Sequence, residues 1–80
     1  MQELVEFLIE SLVDSPDEVT VSETQTERST VLKVHVADAD MGKIIGRQGR
    51  IINAIRSVVS AAAQKRRCRA TVEIVEPQSN

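Results

Sequence analysis

The nine residues Ile44-Ile45-Gly46-Arg47-Gln48-Gly49-Arg50-Ile51-Ile52 set two glycines three apart, with a polar pair between them and branched apolar pairs on either side. Such isoleucine pairs pack into an interior, whereas glycine admits the φ > 0 conformations that other residues avoid. A chain built around this run has to make a tight polar corner between two anchored segments. The second glycine precedes a candidate helix start, where free N–H groups and the helix dipole favour an anion such as phosphate. Arg47 and Gln48, at the tip, carry donors for phosphate oxygens. Two glycines at a helix-helix corner can also mean only a C-cap and a turn. The surroundings of the motif separate the two readings.

Upstream, apolar Leu4, Val5, Leu8, Ile9, Leu12 and Val13 recur at helical spacing, with acids on the other face, and predict a helix over residues 3–14. Ser15-Pro16-Asp17 stops it, because proline cannot continue the hydrogen-bond ladder. Residues 18–23 and 31–36 alternate with period two and predict strands joined by a polar loop, with Leu32, Val34 and Val36 on one face. Asp38 and Asp40 are N-cap candidates for a short helix ending near the first corner glycine. A longer helix is predicted over residues 50–66, with Ile52, Ile55, Val59 and Ala62 toward the core and Asn53, Arg56, Ser57, Ser60 and Gln64 toward water. Residues 69–75 read as a third strand with Ala70, Val72 and Ile74 on one face. The order αββααβ predicts a two-layer α+β domain, a three-stranded sheet covered on one face by three helices.

Charge is segregated along the chain. Residues 1–40 hold ten acids and two bases, and residues 41–72 hold eight bases and no acid, although the formal net charge is only −2. A basic half of this kind points to a polyanion, and its alternative is a surface that balances the acidic half within the fold. Phe7 is the only aromatic residue, which argues against the nucleic-acid modules that depend on aromatic stacking platforms. The glycines at 42, 46 and 49 fit neither GxxxxGK[ST] nor GxGxxG, so nucleotide-dependent catalysis is not expected. His35 alternates with apolar neighbours on a strand and reads as a surface or strand-edge residue. No His, Cys, Asp and Glu cluster suggests a metal, and no cofactor and no enzymatic activity are expected. Cys68 is alone, which excludes an intramolecular disulfide and suits a reducing cytoplasm, where it reads as a small buried hydrophobe. Neither a signal peptide nor a membrane span is expected, since no apolar run approaches the roughly 18 residues a span needs.

With strands and helices in these places, Ile45-Gly46-Arg47-Gln48-Gly49 together with Ile52 and Ile55 resembles the signature of the KH domain, a binder of single-stranded RNA or DNA. The αββααβ order resembles its type II topology. The likeness covers about residues 2–75, and the chain is similar in size to the small stand-alone bacterial KH proteins of the KhpA kind. This resemblance implies a single KH domain over residues 1–77 with a polar tail at 78–80. It implies that Gly46, Arg47, Gln48 and Gly49 clamp the backbone of about four nucleotides of single-stranded RNA. Ile45 and Ile52 would floor the groove on which bases lie, and Lys43, Arg50 and Arg56 would be backbone contacts, by proximity alone. An RNA chaperone or post-transcriptional regulator is the expectation, and an interaction adaptor built on the same fold is the alternative.

A second surface is expected on the long helix. Ile51, Ala54, Val58 and Ala61 form an apolar stripe beyond the core-facing one, and small residues allow close helix-helix approach. It reads as a partner surface or as packing against the first helix. The resemblance favours a homodimer, or a heterodimer with a larger KH protein of the KhpB (Jag) kind. Lys65, Arg66, Arg67 and Arg69 either complement the negative end of the helix dipole or meet RNA phosphates, and the two roles are compatible.

Overall fold

Leu32, Val34 and Val36 are all buried, and they lie on or just beyond the strand around which the fold is assembled. The computed structural model describes residues 1–75; the expected tail at 78–80 lies outside them. Among the described residues there are three α-helices, α1 (Gln2–Glu10), α2 (Met41–Ile45) and α3 (Arg50–Lys65), and three strands, β1 (Thr20–Gln25), β2 (Ser29–His35) and β3 (Arg69–Ile74). The sheet order is β1-β2-β3, with β2 antiparallel to β1 and parallel to β3. Val34 is therefore flanked by Val21 and Ile74, and Leu32 by Glu23 and Val72. The parallel pair requires a crossover, and α2, the glycine corner and α3 supply it. Val5 and Ile9 of α1, Ile44 of α2, and Ile52, Ile55 and Val59 of α3 complete an aliphatic core with the buried strand residues. Each such side chain contributes about 1.5–3 kcal/mol through removal from water. The expected α+β architecture is the one observed, and among the described residues no helix is long and apolar enough to cross a membrane.

Four local expectations need correction. The first helix stops at Glu10 rather than near Asp14: the Leu12 N–H closes a tighter turn on the Ile9 carbonyl at 3.0 Å. The next amides are diverted, those of Asp14 and Ser15 donating to the Asp40 carboxylate at 3.2 and 3.1 Å. Asp40 thus stands at the N-cap position of α2 without capping it by its side chain, and Asp38 caps nothing either. Strand β1 begins at Thr20, because Pro16–Glu18 form a 3₁₀ turn whose carbonyl at Pro16 takes the Val19 N–H. On α3 the last core position is Ala63, while Ala62 is half-buried, a shift expected where a helix face drifts at 100° per residue.

Asp40 is 2% exposed and ties the α1–β1 connection to the start of α2. Lys43, one turn along, donates to the Asp14 carboxylate and stands 3.9 Å from Asp40. The hydrogen bond to Asp14 is the main reason the Lys43 ammonium titrates above its ordinary 10.5, against a smaller opposing cost of desolvation. The ion pair's contribution is therefore fully present below that ordinary value and is lost as pH rises through the raised one. We predict that Asp40→Ala, which strands two backbone N–H groups, lowers the free energy of urea unfolding by about 2–3 kcal/mol. Asp40→Asn, which keeps one acceptor oxygen, should cost less in the same circular-dichroism titration.

Candidate nucleic-acid interface

The polar corner is held between buried residues on both sides. Ile44 is fully buried at the end of α2, and Ile52 and Ile55 enter the core from the first turns of α3. Between them Gly46 adopts φ 75°, ψ 176°, a region essentially restricted to glycine. A Cβ there would stand 2.6 Å from Cγ1 of Ile51 and 2.9 Å from its Cβ, so the isoleucine occupies the space a side chain would need. The Gly46 N–H closes α2 on the Gly42 carbonyl at 2.9 Å, and the Gly49 N–H returns to the Gly46 carbonyl at 3.2 Å. Gly49, at φ 75°, ψ 16°, is left-handed with room for a side chain, Asn53 Nδ2 and Ile52 Cγ2 lying at ordinary contact distances of 3.8 and 3.9 Å from a notional Cβ.

Gln48 is also left-handed, at φ 57°, ψ 27°, and follows Arg47 in the right-handed helical region. The turn spends the Gly49 amide on Gly46 and the Arg50 amide on Arg47, and leaves the amides of Arg47 and Gln48 without a backbone acceptor among the described residues, available to an anion. α3 then starts at Arg50, whose N–H returns to the Arg47 carbonyl, and no side chain caps the amides that follow, so its positive dipole end lies beside the turn. Arg47 and Gln48 are exposed at the tip. The site therefore consists of glycine-shaped backbone, an uncapped helix start and two free side-chain donors.

The residues grouped here by sequence proximity separate in space. Lys43 is engaged with Asp14. Arg50 borders an apolar groove between α1 and α3, lined also by Leu8, Leu12, Ile51, Ala54 and Val58. Arg56 lies on the other flank of α3, where its Nε donates to the Val72 carbonyl at 3.3 Å, leaving the rest of the guanidinium free for another acceptor. Of the two isoleucines expected to floor a groove, Ile45 is 36% exposed, whereas Ile52, at 5%, lies in the core beneath the loop. Ile51 is half-buried against Gly46 and forms one wall of the α1–α3 groove; Ala54, Val58 and Ala61 are exposed. Asn53, placed only on a polar face by its spacing, is the α3 side chain nearest Gly49.

A family model for the KH domain of KhpA and KhpB matches residues 2–74. The RNA-binding protein KhpA of Clostridium acetobutylicum is 55% identical over 75 residues, covering 94% of this chain and 100% of its own length. The protein of the same name from Clostridium perfringens is 52% identical with the same coverage. That from Borreliella burgdorferi is 47% identical over 92% of this chain and 90% of its own. No solved structure gives a significant match.

The two corner glycines should respond differently to the same change. Gly46→Ala combines a forbidden backbone region with a clash against Ile51 and should cost about 3 kcal/mol or more in denaturant unfolding. Gly49→Ala makes only ordinary contacts with its neighbours and costs about 1 kcal/mol for its left-handed backbone. Equal losses at the two positions would contradict the packing described at Gly46.

Proposed function

Because this chain belongs to the KhpA/KhpB KH-domain family, we propose that it binds single-stranded RNA through the loop at residues 46–49, as a non-catalytic RNA chaperone or post-transcriptional regulator in the cytoplasm. The observation that carries this reading is the corner itself, with three left-handed or glycine-only residues in four and an uncapped helix start behind them. Such backbone holds a phosphate without side-chain rearrangement, and Arg47 adds a charge at the point of contact. The relatives' name, RNA-binding protein KhpA, supports RNA as the polyanion. Gly46, Arg47, Gln48 and Gly49 are the proposed clamp. Ile45 offers an apolar surface to a base, and Arg56 is a flanking contact. Lys43 and Arg50 serve the clamp less directly, since one is paired and the other borders the groove.

A second surface is proposed for a KH partner, as a second copy of this chain or a KhpB-like protein. Its support is the nearly all-apolar groove between α1 and α3, where Val58 is 47% exposed and Leu12 is also exposed. Ala54 and Ala61 leave room on α3 for a partner helix.

Fluorescence anisotropy with a short labelled RNA tests the clamp. Arg47→Asp/Gln48→Asp, shown folded by circular dichroism, should bind at least about tenfold more weakly, a loss of about 1.4 kcal/mol or more. Wild-type affinity should fall steeply as salt rises. Equal binding by the two proteins would remove the loop as the clamp. For the second surface, sedimentation at tens of micromolar should show a dimer that Val58→Asp dissociates; monomer in both samples would rule out the homodimer.

A further inference from the structure

The end of α3 farthest from the glycine loop carries a second constellation. The Arg67 N–H bonds the Gln64 carbonyl and the Cys68 N–H the Ala63 carbonyl, both at 3.0 Å, a paired closure that requires a left-handed residue between helix and strand. That residue is Arg67, at φ 57°. Glycine would occupy the position without the steric cost of a Cβ. Two residues later the Arg69 N–H donates to the Arg28 carbonyl at 2.8 Å, fastening the start of β3 to the β1–β2 hairpin. The result is an open cleft lined by Arg28, Ser29, Gln64, Arg67, Cys68 and Arg69.

Its three arginines come from a hairpin, a helix end and a strand, so complementing the dipole of α3 does not account for all of them. All three are exposed, and among the described residues none forms an ion pair, not even Arg28 with the adjacent Glu27. Lys65 and Arg66 add charge beside them.

A continuous polar face joins this cleft to the loop. Asn53, beside Gly49, is followed by Arg56, Ser60 and Gln64 at spacings of three, four and four, which keep them on one side of the helix. All four are exposed, and Gln64 is also a wall of the cleft. Residues 41–72 contain no acid, so α3 itself places no negative charge along this face. The sixteen residues of α3 separate the two ends by about 24 Å, so only a strand that runs the length of the helix meets both.

We propose that the Arg28, Arg67 and Arg69 cleft is a second phosphate-binding site for the same RNA strand, which reaches it along the polar face of α3. The proposal rests on the reading of residues 46–49 as the RNA clamp. A strand long enough to meet both sites is held by backbone charge at each, with the helix as a ruler between them.

The test compares labelled single-stranded RNAs of about four and about twelve nucleotides, a range typical of such sites. The variant is Arg28→Gln/Arg67→Gly/Arg69→Gln, with glycine chosen because it suits the left-handed position. It should bind the short strand like wild type and the long strand about tenfold more weakly. Its salt dependence on the long strand should be shallower by about 2 in log–log slope, for three lost phosphates at about 0.7 each. Equal affinity and slope for variant and wild type on the long strand overturn the second site, as does an equal loss on both strands. Arg47→Asp/Gln48→Asp separates the two readings. If it binds the short strand like wild type, the clamp reading fails, while a deficit of the arginine variant on the long strand still establishes the cleft.

Discussion

The contact between Gly46 and Ile51 is the constraint on which the site depends. A single hydrogen stands where any other residue would place a carbon 2.6 Å from the isoleucine side chain. That closeness lets α3 begin with only four residues between it and the end of α2, so the two helices share Ile44, Ile52 and Ile55 as a common footing on the sheet. With that footing fixed, the residues between have little freedom. The left-handed Gln48 and Gly49 follow from having to reverse the chain in so short a span. The shape of the loop is thus imposed by the core beneath it, and its polar side chains are left to meet a ligand.

The opposite arrangement holds at Asp40. There a buried carboxylate replaces apolar packing, and its two amide donors and the nearby Lys43 compensate its burial. The connection leaving α1 is thereby tied to the segment leading into α2. The acidic half of the chain is structural at this point. It spends Asp14 and Asp40 on Lys43, the first base of the basic half, and leaves the cations beyond the loop free of acids among the described residues.

Much of this was legible in the sequence. Alternation in residues 31–36 identified the central strand, and the glycine pair located the corner between helices. The spacing of Ile52, Ile55 and Val59 oriented α3 correctly until its last turn, where Ala63 replaces Ala62. What was not legible depended on partners distant along the chain. Asp40 looks like a helix cap because its local context is that of a cap, and only the fold brings Asp14 and Ser15 to its carboxylate. Lys43, Arg50 and Arg56 look like one cluster because they are near in sequence, yet the α1–β1 connection, the groove and β3 draw them apart. Arg28 belongs with Arg69 through a single backbone hydrogen bond for which no local pattern exists. Cys68, taken as a small buried hydrophobe, is only half-buried and lines the cleft.

The parallel pairing of β2 with β3 also bears on how the protein comes into being. Everything that shapes the loop lies inside the crossover between those strands, and a crossover is closed only when its second strand docks. The loop and α3 precede residues 69–74 along the chain, so both are synthesised before β3 can pair with β2. The enclosing contact spans about forty residues, and such non-local pairings form late because loop closure must precede them. The nascent chain therefore acquires its basic segment early and its organised binding geometry last, which separates the time at which it can attract RNA from the time at which it can hold it in register.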